Sequence, residues 1–124
     1  MKFKNQSFYQ SVKNACRGIK TSIVSERNLK MQLMILLLVL ILGWLLKFSA
    51  LDWIIIILTS VGVLAVEMIN TAIEMTIDMF CHNEFNPLAK KAKDTAAGAV
   101  LIVSIGAMII GFMIIIPKII HMIR

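Results

Sequence analysis

The chain predicts an all-α integral membrane protein, with three transmembrane helices preceded by an amphipathic helix that lies along the surface. Three observations carry that expectation. Of 124 residues, 59% are hydrophobic and the mean hydropathy is +0.85. The apolar residues fall in long runs and not at the spacing of a soluble core. There are three such runs, each close to the length that crosses roughly 30 Å of hydrocarbon. One domain, residues 1–124, accommodates them all.

The surface helix is expected over about residues 6–25. Phe8, Val12, Ala15, Ile19 and Ile23 recur at helical spacing, while Lys13, Arg17 and Lys20 gather on the opposite side. Such a helix lays its apolar face into the headgroup boundary and turns its basic face to lipid phosphates. The first span, about 29–47, carries Lys30 and Gln32 only at its start. A short turn follows, bracketed by Trp44 and Trp53 as interfacial aromatics. The second span, about 53–80, is apolar from Trp53 to Val66 and then becomes polar. Asn86-Pro87 is a turn signal, and Pro87 pre-sets the backbone for a new helical start. The third span, about 94–117, includes Ala96-Ala97-Gly98-Ala99, Ala107 and Gly111, small residues that let helices approach closely in a packed bundle or oligomer.

Charge orients the spans. Lys2, Lys4, Lys13, Arg17, Lys20, Arg27 and Lys30 precede or open the first span, and Lys90, Lys91 and Lys93 lie between the second and third. The excess of Lys and Arg puts the N-terminus and the second loop in the cytoplasm and the C-terminus outside. The net charge of +6 reads as attraction to anionic lipid. No nucleic-acid partner is expected, because the basic groups flank spans and no base-stacking motif accompanies them. The stretch after Met1 is basic and polar, without the apolar core of a cleaved signal peptide. Cys16 and Cys81 fall on the cytoplasmic side without zinc-ligand spacing and read as reduced packing residues.

The second span ends in Val66-Glu67-Met68-Ile69-Asn70-Thr71-Ala72-Ile73-Glu74-Met75-Thr76-Ile77-Asp78. At about 100° per residue, Glu67, Asn70, Glu74 and Asp78 share roughly an 80° arc of one helix face. Ionisable groups at membrane depth cost several kcal/mol unless hydrated, paired or metal-bound, so this column is the functional candidate. Glu26, at the mouth of the first span, could face it. Carboxylates, an amide and the lysines of the second loop form a set suited to magnesium and a polyphosphate. Phosphoryl transfer needs a divalent ion on the phosphate oxygens, a cation against the developing charge and often a carboxylate for the acceptor proton. No Gly-rich phosphate loop or protein-kinase signature is present. On the residues alone, three readings stay open: a membrane phosphotransferase, a small ion- or proton-coupled transporter, and a structural subunit. A transporter would place its acids near the midplane, often within inverted repeats. This stripe rises from one edge, and no repeat is evident.

Glu67-x-x-Asn70-Thr71-Ala72-Ile73-Glu74-x-x-x-Asp78, followed by Pro87-Leu88-Ala89-Lys90-x-Ala92-Lys93-Asp94 and Ala97-Gly98-Ala99-Val100-Leu101, resembles the small prokaryotic diacylglycerol kinase family along nearly the whole chain. Arg17-Gly18-Ile19, Glu26-Arg27-Asn28 and Ile116-Pro117-Lys118 are similar to its Gram-positive branch, the undecaprenol kinases. The resemblance implies a homotrimeric bundle in a bacterial plasma membrane, with composite sites between subunits on the cytoplasmic side. It implies ATP-dependent phosphorylation of a lipid alcohol, undecaprenol first and diacylglycerol as the alternative. By position, Glu67 would be the catalytic base and contact the lipid hydroxyl, with Asn70 orienting groups beside it. Glu26 and Glu74 would hold the magnesium of ATP; Lys93 and Asp94 would contact the nucleotide, with Asn83, Glu84 and Phe85 lining its site. Asp78 would be mainly structural. Asn86 stands where many relatives carry histidine, and His82, out of register, reads as a solvated loop residue.

Overall fold

The computed structural model describes residues 7–124, so Lys2, Lys4 and the expected start of the surface helix at residue 6 lie outside the described residues. Regular structure among the described residues is wholly helical: α1 Phe8–Ser25, α2 Arg27–Leu45, α3 Ala50–Cys81 and α4 Pro87–Ile123. The last three are long and apolar enough to cross a membrane.

Local chemistry explains each boundary. Ser7 caps α1 by accepting the Gln10 N–H at 3.2 Å. Glu26 breaks the helix with extended backbone (φ −104°, ψ 114°), and α2 starts at the next residue. Glu26 is therefore the junction between α1 and α2. The α2–α3 turn places Lys47 in the left-handed region at φ 54°. Ser49 and Asp52 then form a reciprocal capping box, the Ser49 Oγ accepting from Asp52 N–H at 3.2 Å and Asp52 Oδ2 from Ser49 N–H at 2.9 Å.

This turn is also a latch. Phe48, 8% exposed, meets Trp53 with ring centroids 5.2 Å apart. Both rings press on Gly43, where an added Cβ would lie 2.7 Å from each. Asp52 receives the Lys118 ammonium of α4 at 2.8 Å, and that nitrogen stands 5.7 Å from the centre of the Phe48 ring. Here α4 does not stop at Pro117, as the sequence suggests, but continues to Ile123 with Pro117 inside the helix. Proline removes one i→i−4 bond, to Met113, and the helix is held beyond it by the Lys118 contacts.

At the other end, His82 and Asn83 take left-handed backbone (φ 49° and 61°) and turn the chain out of α3. Asn86 Oδ1 then accepts from the Leu88 and Ala89 N–H groups at 2.9 and 3.2 Å, so α4 starts at Pro87 and runs two turns before the apolar stretch expected from about residue 94. Those turns carry Lys90, Lys91 and Lys93, too basic for hydrocarbon, which is why hydropathy alone begins the span later.

Packing is thin and inverted relative to a soluble protein. Leu29, Phe48 and Ile56 are the buried apolar residues, whereas Glu67, Asn70 and Thr71 are the buried polar ones. Against lipid, apolar side chains gain little by turning inward, while polar groups must find partners inside the bundle. α4 packs chiefly on α3, and α2 packs more lightly against α3. A groove of about 520 Å³ is left among α2, α3 and α4, running from Gln32 past Ile56, Ser104 and Gly111 to Ile115.

Candidate active site

The polar face of α3 holds its carboxylates through neutral amides. Glu67, 2% exposed, accepts from Gln32 Nε2 of α2 at 3.2 Å through Oε2. The Thr71 hydroxyl donates to the Glu67 carbonyl at 3.1 Å and so stays on the helix backbone. One turn on, Asn70 Nδ2 donates to Glu74 Oε1 at 3.1 Å. Asp78, a further turn along, forms an ion pair with Lys93 of α4, which ties the end of the stripe to the next helix.

The amides are satisfied on one side only. Gln32 Oε1 and Asn70 Oδ1 are both buried without a hydrogen-bond partner, and an orphaned buried acceptor costs on the order of 1–3 kcal/mol. Turning either amide over would aim its carbonyl at a carboxylate and leave the acid without its donor. The acids set the orientation.

The other expected site residues are distributed around this face. Glu26 is half-buried at the α1–α2 junction, and α1 touches both α2 and α3. Glu74 is likewise half-buried, and Lys93 is in reach of Asp78. Asp94 pairs with Lys90 at 2.6 Å, both side chains 64% exposed. An exposed i,i+4 pair contributes less than about 1 kcal/mol, so Asp94 is readily released to another cation or donor. Asn83, Glu84 and Phe85 are exposed in the α3–α4 loop. Among the described residues, no three His, Cys, Asp or Glu side chains converge to hold a metal ion. Glu26 and Glu74 offer hard carboxylate oxygens of the kind a magnesium ion takes one or two at a time, with phosphate and water completing its shell.

Nothing in the sequence ties Gln32, a polar residue at the start of the first span, to the acids of α3. It lies 35 positions from Glu67, and only its isolation at the start of an apolar span could have drawn notice.

A buried carboxylate held by a neutral donor that itself lines an apolar groove has the chemistry to accept a proton from a membrane-borne hydroxyl. Less than a helix length away are cations and further acids for a phosphorylated donor. Such an arrangement is compatible with phosphoryl transfer to a membrane lipid. Residues 13–115 match the family described as prokaryotic diacylglycerol kinase, and the chain belongs to that family; it is a multi-pass membrane protein. It is 41% identical over 111 residues to the undecaprenol kinase of Bacillus subtilis, covering 90% of this chain and 89% of that one. Over 112 residues it is 32% identical to a diacylglycerol kinase of Synechocystis, covering 90% of this chain and 64% of the relative. Over 85 residues it is 38% identical to a diacylglycerol kinase of Helicobacter pylori, 68% of this chain and 66% of the relative.

Proposed function

We propose that this lipid kinase transfers the γ-phosphoryl group of ATP to undecaprenol, giving undecaprenyl phosphate, at sites shared between the subunits of a homotrimer in the bacterial plasma membrane. The observation that carries the mechanism is Glu67: a carboxylate 2% exposed, within a spanning helix and hydrogen-bonded to an amide. Similarity to an undecaprenol kinase along nine-tenths of the chain favours the polyprenol over diacylglycerol. The groove beginning at Gln32 is walled mainly by aliphatic side chains, in keeping with an isoprenoid or acyl chain.

Glu67 takes the proton of the lipid hydroxyl as the hydroxyl oxygen attacks the γ-phosphorus; the bond from that phosphorus to the β–γ bridging oxygen breaks and ADP leaves. Asn70 keeps Glu74 oriented. Glu74, about 10 Å along the helix by its rise, and Glu26 at the α1–α2 junction hold the magnesium that accompanies ATP; when bound, that ion neutralises phosphate oxygens and draws charge from the bond that breaks. Lys93 and Asp94 contact the nucleotide, with Asn83, Glu84 and Phe85 beside it. Asp78 keeps Lys93 in place between the two roles. The basic α1 and the lysines in the first turns of α4 favour a cytoplasmic position for this end, where ATP is available, with α1 lying in the headgroup layer and the C-terminus outside.

The reading is tested by offering undecaprenol and diacylglycerol side by side to the purified protein with ATP, with and without magnesium. Phosphorylation of undecaprenol with the higher kcat/KM, lost on magnesium removal, is the expected result. Preference for diacylglycerol would reassign the acceptor, and transfer to neither lipid would overturn the function.

A further inference from the structure

Resting on Glu67 as the base, we propose that Gln32 is its positioning residue: a neutral N–H donor from the first span that fixes the Glu67 carboxylate without cancelling its charge. Two observations converge on it. Gln32 Nε2 donates to Glu67 Oε2 at 3.2 Å across the α2–α3 interface. The opposite end of the same amide, Oε1, is buried and unpartnered. A glutamine whose only task was packing would settle where both ends are satisfied. This one keeps an orphaned acceptor, and what it retains in exchange is the bond to Glu67.

The choice of donor matters as much as its place. A lysine or arginine here would hold Glu67 more firmly, but as an ion pair in a low-dielectric setting, lowering its readiness to take a proton. An aliphatic residue would leave the acid free to turn and without a donor. An amide does neither. It immobilises one oxygen and leaves the other free to meet the hydroxyl proton. The chain repeats the device one turn along α3, where the Asn70 amide donates to Glu74 and its own carbonyl is likewise orphaned. Gln32 also lines the head of the groove, so the residue that holds the base borders the space from which a lipid hydroxyl would approach.

Three variants separate positioning from packing, each assayed as the assembled, membrane-reconstituted protein with whichever lipid the parent enzyme phosphorylates. Gln32→Met keeps the shape and removes the donor; its kcat falls roughly tenfold to a hundredfold, the range for loss of a group that orients a reacting partner. The KM values for ATP and lipid stay within about twofold, as expected when binding is untouched. Gln32→His restores a neutral N–H of similar reach and recovers most of the lost kcat. Gln32→Lys supplies a donor but pairs with Glu67, and its kcat is as low as that of the methionine variant although its thermal stability matches the parent. Parent-like kcat in Gln32→Met would overturn the proposal. So would equal losses in Met and His variants that track a fall in thermal stability, the signature of packing alone. An inactive parent enzyme, by contrast, would count against the kinase reaction itself and so against both.

Discussion

Gly43 shows how little slack single residues have at the latch. A methyl group there would come within 2.7 Å of the Phe48 and Trp53 rings. Overpacking of this kind costs about 1–3 kcal/mol, against less than about 1 kcal/mol regained from alanine's helix propensity. Gly43→Ala is therefore expected to lower the thermal unfolding temperature in detergent, while phosphotransfer at low temperature persists because the site is at the other end of α3. An unfolding temperature equal to or above the parent's would show that the rings yield freely. At this scale the sequence was informative about acids and nearly silent about their partners. Glu67, Asn70, Glu74 and Asp78 stand out because polar residues in an apolar run are costly. Gln32 does not, since one amide at the start of a span looks like an ordinary interfacial residue, and only folding brings it across 35 positions to Glu67. The Lys118–Asp52 pair is hidden for the same reason.

Elements were more legible, because each span is announced by a run of apolar residues and each end by a local cap. The expected spans 29–47 and 53–80 correspond to helices Arg27–Leu45 and Ala50–Cys81, differing where capping chemistry, invisible to hydropathy, decides the last turn. The third helix departs further at both ends: Asn86 caps it at Pro87, and Lys118 carries it past Pro117. The Asp52 carboxylate links elements, since it closes the α3 capping box and receives Lys118 of α4. Asp52→Asn keeps a side chain able to cap but loses the ionic contact. We expect a stability loss of about 0.5–2 kcal/mol, from a half-buried pair and a weakened cap, measured by thermal unfolding in detergent. Lys118→Met should lower stability similarly, and the double variant should lose little more than either single one, because both remove one shared interaction. Fully additive losses would mean that the two residues act separately.

For the whole molecule, the distribution of burial is the informative quantity. None of the residues of α4 is buried within the chain, and a Cβ at Gly98, Gly106 or Gly111 would meet only open space. Apolar surface of this kind suits lipid, and the small residues also suit a neighbouring helix. On the proposed function, three 13.9 kDa protomers associate and complete each other's sites. Native mass spectrometry from detergent should therefore give a trimer as the active species. A fully active monomer would remove the composite-site argument while leaving the chemistry of α3 in place.

That chemistry depends on Glu67, and its most direct test is the turnover of Glu67→Gln in reconstituted membranes. The substitution keeps shape and hydrogen-bonding capacity at a buried position and removes only the capacity to hold a proton. Its kcat is expected to fall about 10²- to 10⁴-fold, the range for loss of a general base, with the KM for ATP, the oligomeric state and the unfolding temperature close to those of the parent. Turnover within a few-fold of the parent would contradict the role of Glu67 as base, and would mean that the buried acid serves the fold and not the reaction.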